Sequence, residues 1–260
     1  MHGYAGRENE RLFDQANALA ELLHEGTEYP SGAHVLEAGC GVGAQTVVLA
    51  RRSPVARFTS IDISPESLAA ARRHGLANVT FRQADLYDLP FERNSFDHVF
   101  VCFVLEHLSR PLDALEQLKA VLKPGGTITV IEGDHASAFY YPQSSFARRA
   151  IDCLVDIQAR MGGDALIGRR LYPLLQQAAF TGIHVSPRHV YVDASRPDMV
   201  EGITLNTFTA MVAGARDQAL QLGLIDEADW NRGIADLKAA AGEGGTFNYT
   251  FFKAVAAKPI

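Results

Sequence analysis

The chain has 260 residues, 47% of them hydrophobic, which is enough to bury the core of one large domain. Its formal net charge of −6 and its scattered arginine pairs give no concentrated basic surface for nucleic acid, and its three widely spaced cysteines give neither a disulfide framework nor a zinc site. The N-terminus is polar and no apolar run approaches the ~20 residues that span a bilayer, so we expect a cytoplasmic protein with no signal peptide, no metal and no membrane segment.

Strands and helices alternate through the first half of the chain. An amphipathic helix is predicted over 8–24. It is followed by strands at 35–38, 58–61, 79–83, 96–103 and 127–132, with helices at 45–52, from 65 to near 75, and at 112–121. Such alternation with short connections is typical of a parallel sheet with helices on both faces.

The pattern changes after Gly133. Helices are predicted at 146–161, at 168–179 and through most of 196–242, and strands at 183–192 and 246–256. The helical segments look like insertions that cover the C-terminal edge of the sheet, where ligands bind in open α/β folds.

Three glycines at alternate positions, Gly39, Gly41 and Gly43, follow the first strand directly. Without a Cβ, such a loop lets backbone N–H groups and a helix N-terminus approach a nucleotide-like ligand. The same stretch satisfies the dinucleotide fingerprint Gly-x-Gly-x-x-Ala. Asp62, at the end of the second strand, suits the ribose hydroxyls of NAD and of S-adenosylmethionine (AdoMet) equally. These residues therefore leave two cofactors open.

Three further features favour AdoMet. Glu37 precedes the first glycine by two residues, where a carboxylate can orient the loop or meet an ammonium group, which AdoMet has and NAD lacks. Asp85 follows the third strand, where a carboxylate can accept from an adenine amino group. A helix-to-strand turn, Leu122-Lys123-Pro124-Gly125-Gly126, precedes the fifth strand, and no Tyr-x-x-x-Lys hydride-site pair follows the fourth.

As an ordered set, these motifs resemble the class I AdoMet-dependent methyltransferases over residues 33–132. The set is Glu37-x-Gly39-x-Gly41-x-Gly43, Asp62, Asp85, Phe96-Asp97, Glu106-His107-Leu108 and the turn at 122–126. The resemblance implies an α/β fold with a doubly wound, Rossmann-like sheet of seven strands, whose last strand is antiparallel and lies next to the fifth. The implied plan for 1–260 is one domain with a lid helix at 1–32, an AdoMet-binding core at 33–135, helical cap insertions at 136–182 and 196–245, and a final strand hairpin of 183–195 and 246–257.

The resemblance also implies roles for individual cofactor-site residues. The glycine loop, including Cys40, would pass close to the methionine moiety, with Glu37 beside it. Asp62 would hold the ribose, and Ile63 would pack against adenine. The remaining implied contacts are Asp85 and the backbone of Leu86 with adenine, and Cys102, Phe103 and Val104 with the methionine side and the substrate.

Candidate acceptor-side residues follow the fourth and fifth strands. His107 and His135 are predicted as bases, with a helix-start or loop position as the alternative for each. Glu132 and Asp134 could bind a cationic amine or remain plain loop acids. Tyr4 and Arg7 lie in the predicted lid, where they could contact AdoMet or substrate.

The resulting prediction is an enzyme that transfers a methyl group from AdoMet to a small-molecule N, O or C nucleophile by in-line displacement. No Asn-Pro-Pro-Tyr-like motif follows the fourth strand, which argues against nucleic-acid substrates. An NAD-dependent oxidoreductase and a non-catalytic AdoMet-binding regulatory protein remain as alternatives. The hydrophobic helices of 196–242 could also form the face of a homodimer.

Overall fold

Five parallel strands form the first half of the sheet in the computed structural model, which describes residues 19–260. The strands are β1 His34–Ala38, β2 Arg57–Asp62, β3 Val79–Gln83, β4 Phe96–Cys102 and β5 Leu122–Gly133. The helices between them are α1 Ala44–Arg52, α2 Pro65–Arg72 and α3 Pro111–Val121. Their spatial order is β3-β2-β1-β4-β5. Successive strands are therefore added in one direction from β1 to β3 and in the other direction from β4 onward, so the order reverses between β1 and β4. Ligands bind at such a switch point in doubly wound folds.

The last long strand, β8 (Thr246–Ala257), is antiparallel and lies between β5 and β7 (Thr181–Asp193). This arrangement confirms the predicted fold class. A short eighth strand that the sequence did not predict, β6 (Phe139–Tyr141), pairs with the beginning of β8 beyond the end of β5. The beginning of β8 therefore projects past the edge at which the parallel strands end.

Local sequence signals account for most of the element boundaries. Ser64 caps α2 by accepting the backbone N–H of Ser67 at 3.1 Å, and Pro65 occupies the first turn. The predicted fourth strand extended to Phe103, which was one residue too far, because Phe103 has a φ of +56° and leaves the extended region.

The turn at 122–126 was also placed differently from the prediction. It was expected to precede the fifth strand, but Leu122 already pairs with Phe96, and the register shifts before Thr127 pairs with His98. The turn is therefore an irregularity inside β5, with Gly125 at a φ of +72°. Similarly, the helix predicted at 168–179 begins as a 3₁₀ turn, Ile167–Arg170, before α5, Leu171–Gln177.

The helical segments of the second half cover one face of the sheet. They are α4 Ser145–Arg160; α6, which runs through Pro197–Met199, the π-helical stretch Val200–Thr209 and Ala210–Gly214; α7 Arg216–Gln221; and α8 Glu227–Ala239. Trp230 of α8 and Phe208 of α6 share a buried cluster with Phe247 of β8. Leu23, at the end of the helical residues 19–24, joins the same cluster. No helix within residues 19–260 is long and apolar enough to cross a membrane.

Candidate functional site

The glycine loop after β1 is held by the end of β2. Asp62 accepts the backbone N–H of Gly41 on Oδ2 at 2.8 Å and that of Ser64 on Oδ1 at 2.9 Å. The N–H of Gly39 donates to the carbonyl of Ile61 at 2.8 Å. The two strand ends and the loop thus form one bonded unit at the switch point of the sheet.

The three glycines of the loop differ in what surrounds them, although all have positive φ. A Cβ on Gly39 would lie 2.4 Å from Cγ2 of Val104, and one on Gly43 would lie 3.1 Å from Cβ of Ala71. A Cβ on Gly41 would meet nothing within 4 Å. Packing therefore excludes a side chain at the first position and crowds one at the third, whereas the middle position leaves room for a ligand to approach the backbone.

Next to Asp62, the predicted adenine side presents an exposed apolar side chain. Ile63 is 64% exposed and directly follows a strand whose last three residues are buried. Asp85 is exposed and accepts the N–H of Tyr87 on Oδ1 at 2.9 Å, and Leu86 is half-buried beside it. An open apolar surface between two carboxylates fits the adenosine part of AdoMet.

Glu37 is buried behind the loop. Its Oε2 accepts the hydroxyl of Thr46 in α1 at 2.7 Å and that of Ser60 in β2 at 2.6 Å. Burial raises the pKa of Glu37 to about 7, although both hydroxyl bonds oppose the rise. The carboxylate therefore links β1, β2 and α1 behind the glycine loop.

The two cysteines of the predicted cofactor site, Cys40 and Cys102, are both buried. Burial raises the pKa of each thiol well above its usual range. Neither thiol is therefore poised as a thiolate nucleophile, and both act as small apolar side chains.

The segment after β4 turns sharply and is held by β5. Phe103 has a φ of +56° and donates its N–H to the carbonyl of Ile131 at 2.9 Å. Oε1 of Glu132 accepts the N–H groups of Val104 at 3.0 Å and of Leu105 at 2.7 Å. Glu132 is fully buried, and burial together with the nearby carboxylate of Glu106 raises its pKa well above the usual range.

A second group of polar side chains meets beside this segment. Nε2 of His135 lies 3.6 Å from Oε2 of Glu106, and Nδ1 of His135 lies 2.7 Å from the hydroxyl of Tyr249. Nε2 of His107 lies 3.6 Å from the other oxygen of Glu106, and Gln158 donates to Oε2 at 3.3 Å. His135 is buried, whereas 41% of the His107 side chain is exposed. The structure thus brings both predicted histidines to one carboxylate.

Asp134 is engaged in an ion pair. Its two oxygens accept Nε and one terminal nitrogen of Arg169, both at 2.7 Å, in a bidentate pair. Asp134 is buried, while about half of the Arg169 side chain is exposed. The carboxylate predicted to meet a cationic substrate therefore already has a cationic partner from the cap.

Several members of this group, among them Tyr249 and Arg169, were not predicted as members of the candidate site. Tyr249 lies on the final strand, and the only available signal was the alternation Phe247, Tyr249, Phe251, which places three aromatic rings on one face of that strand. Nothing in the sequence pairs this face with His135, which is more than a hundred positions away. Arg169 lies in the cap, in one of several arginine pairs.

Tyr4 and Arg7 lie outside the described residues. Within residues 19–260, no group of three or more His, Cys, Asp or Glu side chains is arranged to hold a metal ion.

Comparisons with known proteins point to methyltransferases. Residues 36–130 match the family described as a methyltransferase domain. An uncharacterised 37.1 kDa protein in transposon TN4556 of Streptomyces fradiae is 33% identical over 206 residues, covering 77% of this chain and 59% of that protein. Demethylmenaquinone methyltransferase of Tropheryma whipplei (strain Twist) is 40% identical over 114 residues, covering 43% of this chain and 46% of that protein.

Among solved structures, phosphoethanolamine N-methyltransferase 2 of Haemonchus contortus, in complex with phosphomonomethylethanolamine and S-adenosylhomocysteine, shares the fold. The TM-score is 0.59 at 17% identity, covering all of this chain and 59% of that one. The two sequence relatives are matched over only 59% and 46% of their lengths. The family match includes the glycine loop, all three predicted cofactor carboxylates and β4, so residues 36–130 of this chain form a methyltransferase domain of that family.

Proposed function

We propose that this protein transfers the methyl group of AdoMet to a small-molecule acceptor by in-line displacement. The observation that carries the proposal is the Asp62–Gly41 hydrogen bond at 2.8 Å, which holds a ligand-accessible glycine loop at the switch point of the sheet. The polar group around His135 follows β5, which ends at the same edge of the sheet. Cofactor and acceptor can therefore meet between the loop and this group.

The cofactor half of the site uses residues of the core. Each oxygen of Asp62 accepts one backbone N–H and can accept a second hydrogen bond, so both can also receive a ribose hydroxyl. Ile63 offers its exposed side chain to adenine, and Asp85 accepts from the adenine amine. The loop at 39–43 and the segment at 102–104 enclose the methionine part.

On the acceptor side, we propose that His135 and Tyr249 remove a proton. AdoMet supplies a methyl group activated by its positive sulfur, so the protein must orient the acceptor, exclude water and accept a proton. As the phenol of Tyr249 receives the acceptor's proton, its own proton passes to Nδ1 of His135, and the Glu106 carboxylate stabilises the imidazolium that forms. His107 is the exposed alternative base on the same carboxylate.

Three observations support a small acceptor. The net charge of −6 disfavours binding to nucleic acid, and the Tropheryma whipplei relative is named a demethylmenaquinone methyltransferase. Aromatic rings also lead from the end of β4 into the cap. The ring centres of Phe103 and Phe251 are 5.5 Å apart, and those of Phe251 and Tyr249 are 4.6 Å apart. An apolar or flat acceptor fits against such a row.

The test is a calorimetric titration with AdoMet and with NAD, followed by a screen of small acceptors for transfer of a labelled methyl group. We expect AdoMet to bind and NAD not to bind. Asp62→Ala should weaken AdoMet binding at least about tenfold, which corresponds to about 1.4 kcal/mol. Glu92→Ala, at an exposed carboxylate, is the matched control and should change nothing.

The outcomes separate the alternatives. Binding of NAD without AdoMet would identify an oxidoreductase and overturn the proposal. Binding of AdoMet with no methyl uptake by any acceptor class would instead favour a regulatory AdoMet-binding protein.

A further inference from the structure

Glu132 lies beneath the segment that faces the methionine side of the proposed cofactor site. It is fully buried at the end of β5, and backbone N–H groups donate to it, among them those of Val104 and Leu105. Both bonds fall on Oε1, while Oε2 is buried without a hydrogen-bond partner among the described residues. A single oxygen therefore fixes two consecutive amides of the segment.

This segment would not hold its shape by local preference. Phe103 has a φ of +56°, a left-handed conformation that costs a non-glycine residue about 1–2 kcal/mol. The N–H groups of this strained residue and of the two residues after it all donate to β5, that of Phe103 to the carbonyl of Ile131 and the next two to Glu132. The strained turn is thus maintained by β5 rather than by its own sequence.

The side chain of Val104 connects the segment to the glycine loop. The side chain of Val104 fills the space next to Gly39, where a Cβ would lie 2.4 Å from Cγ2 and 3.0 Å from Cγ1. Because β1 lies between β4 and β2, Val104 after β4 and the pair Asp62 and Ile63 at the end of β2 are on opposite sides of the loop that follows β1. Displacement of Val104 would therefore act on the methionine half of the site and leave the adenosine half in place.

We infer that Glu132 is a positioning residue: by holding the amides of Val104 and Leu105 it sets the wall against which the methionine half of AdoMet binds. The inference rests on the proposed function, because it assumes that AdoMet occupies the glycine loop. In this role Glu132 affects binding of the cofactor and makes no contact with the acceptor.

The experiment compares two ligands that share the adenosine part. S-Adenosylhomocysteine carries the amino-acid chain, whereas 5′-methylthioadenosine lacks it, and both are titrated calorimetrically into the wild-type protein, Glu132→Leu and Glu132→Gln. Glu132→Leu should weaken S-adenosylhomocysteine at least about tenfold and 5′-methylthioadenosine less than about twofold, since it removes the acceptor of two amides. Glu132→Gln keeps an oxygen acceptor and should restore affinity to within about threefold of the wild type.

A general loss of structure would weaken both ligands to the same extent and would not be rescued selectively by glutamine, and that result would overturn the inference. Unchanged binding of both ligands to Glu132→Leu would also overturn it. If Glu132→Leu does not fold, Val104→Ala tests the inference instead, because this variant removes the contact between Val104 and Gly39 and keeps the buried carboxylate of Glu132. It should weaken S-adenosylhomocysteine alone, and equal losses of both ligands would contradict the inference.

Failure of the proposed function gives a different result. Then the wild-type protein itself would bind neither ligand, and both proposals would fall together. Binding by the wild type with no selectivity among the variants would overturn only the role of Glu132.

Discussion

The carboxylate of Asp62 accepts the backbone N–H of Gly41 at 2.8 Å, so the end of β2 holds the loop that follows β1. The same carboxylate accepts the N–H of Ser64 at 2.9 Å and thereby also fixes the start of α2. The side chain of Asp62 thus holds both the glycine loop and the start of α2 in the absence of a ligand. The shape of the loop therefore depends on the same residue that is proposed to bind the ribose.

Asp62→Ala should therefore loosen the loop as well as weaken cofactor binding. Hydrogen bonds to a charged acceptor contribute about 1.5–3 kcal/mol, so the amides of Gly41 and Ser64 should exchange at least about tenfold faster. Hydrogen exchange followed by NMR measures this. The amide of Gly39, which donates to the carbonyl of Ile61, is the internal reference and should change little. Equal acceleration of all three amides would indicate general destabilisation instead.

Alanine at two positions of the loop should have different effects. Gly39→Ala places a Cβ 2.4 Å from Val104 and should cost about 1–3 kcal/mol of unfolding free energy beyond the backbone strain that both substitutions share. Gly41→Ala meets no atom within 4 Å and should be the milder change in the free protein. Gly41→Ala should nevertheless weaken S-adenosylhomocysteine binding strongly, because its methyl group would occupy the space through which the ligand approaches the backbone.

Urea unfolding and calorimetry on the two variants test this pair of expectations. Equal stabilities would show that Val104 yields to the added methyl group at no cost. Unimpaired cofactor binding by Gly41→Ala would show that the ligand does not approach this part of the backbone.

His24 should make stability depend on pH. It is buried against Phe100 and bonded to Gln45, and burial lowers its pKa from 6.5 to about 4. Between pH 4 and pH 6.5 His24 is more often protonated in the unfolded chain than in the folded protein. Its contribution to the free energy of unfolding should therefore increase as the pH rises from 4 to 6.5. The shift corresponds to at most about 3 kcal/mol.

Urea unfolding of the wild type and His24→Gln at several pH values isolates this contribution. Glu37, whose pKa is raised to about 7, has the opposite effect, because its folded form binds more protons below neutral pH. It is present in both proteins and cancels in their difference. The difference should grow with pH up to 6.5, and a constant difference would contradict the expectation.

The pair of Asp134 and Arg169 should show strong coupling. Arg169→Met leaves a buried carboxylate without its bidentate partner and should cost about 2 kcal/mol, less than for a fully buried pair because the arginine is half exposed. Asp134→Asn in the same chain removes the uncompensated charge. The double variant should therefore be more stable than Arg169→Met alone, as measured by urea unfolding. Additive losses would mean that the pair contributes little.

Much of the cofactor half was predictable because it is built from local features. The positive φ of the loop demands glycine at fixed spacing, and the alternation of strands and helices orders β1 to β5 in a parallel sheet. These patterns also predicted Ser64 as the cap of α2. The unpredicted strand β6 and the register shift within β5 depend on pairing partners that lie far away in the chain.

The acceptor half could not be assembled from the sequence. Its residues were visible as candidates after β4 and β5, but their partners come from elements that only the antiparallel insertion of β8 and the docking of the cap bring near. Glu132 looked like a substrate acid, and its two bonds to backbone amides became apparent only once β5 lay beside β4.

The sequence by itself determined the doubly wound fold, the glycine loop and the carboxylates of the core, because each depends on residue types at short, fixed spacings. The tertiary structure alone decided which buried acids hold backbone amides, which are paired with arginine and which share a histidine with Tyr249. Those choices follow from strand register and from the cost of burying an unpaired charge, and both are set by contacts between residues distant in the chain.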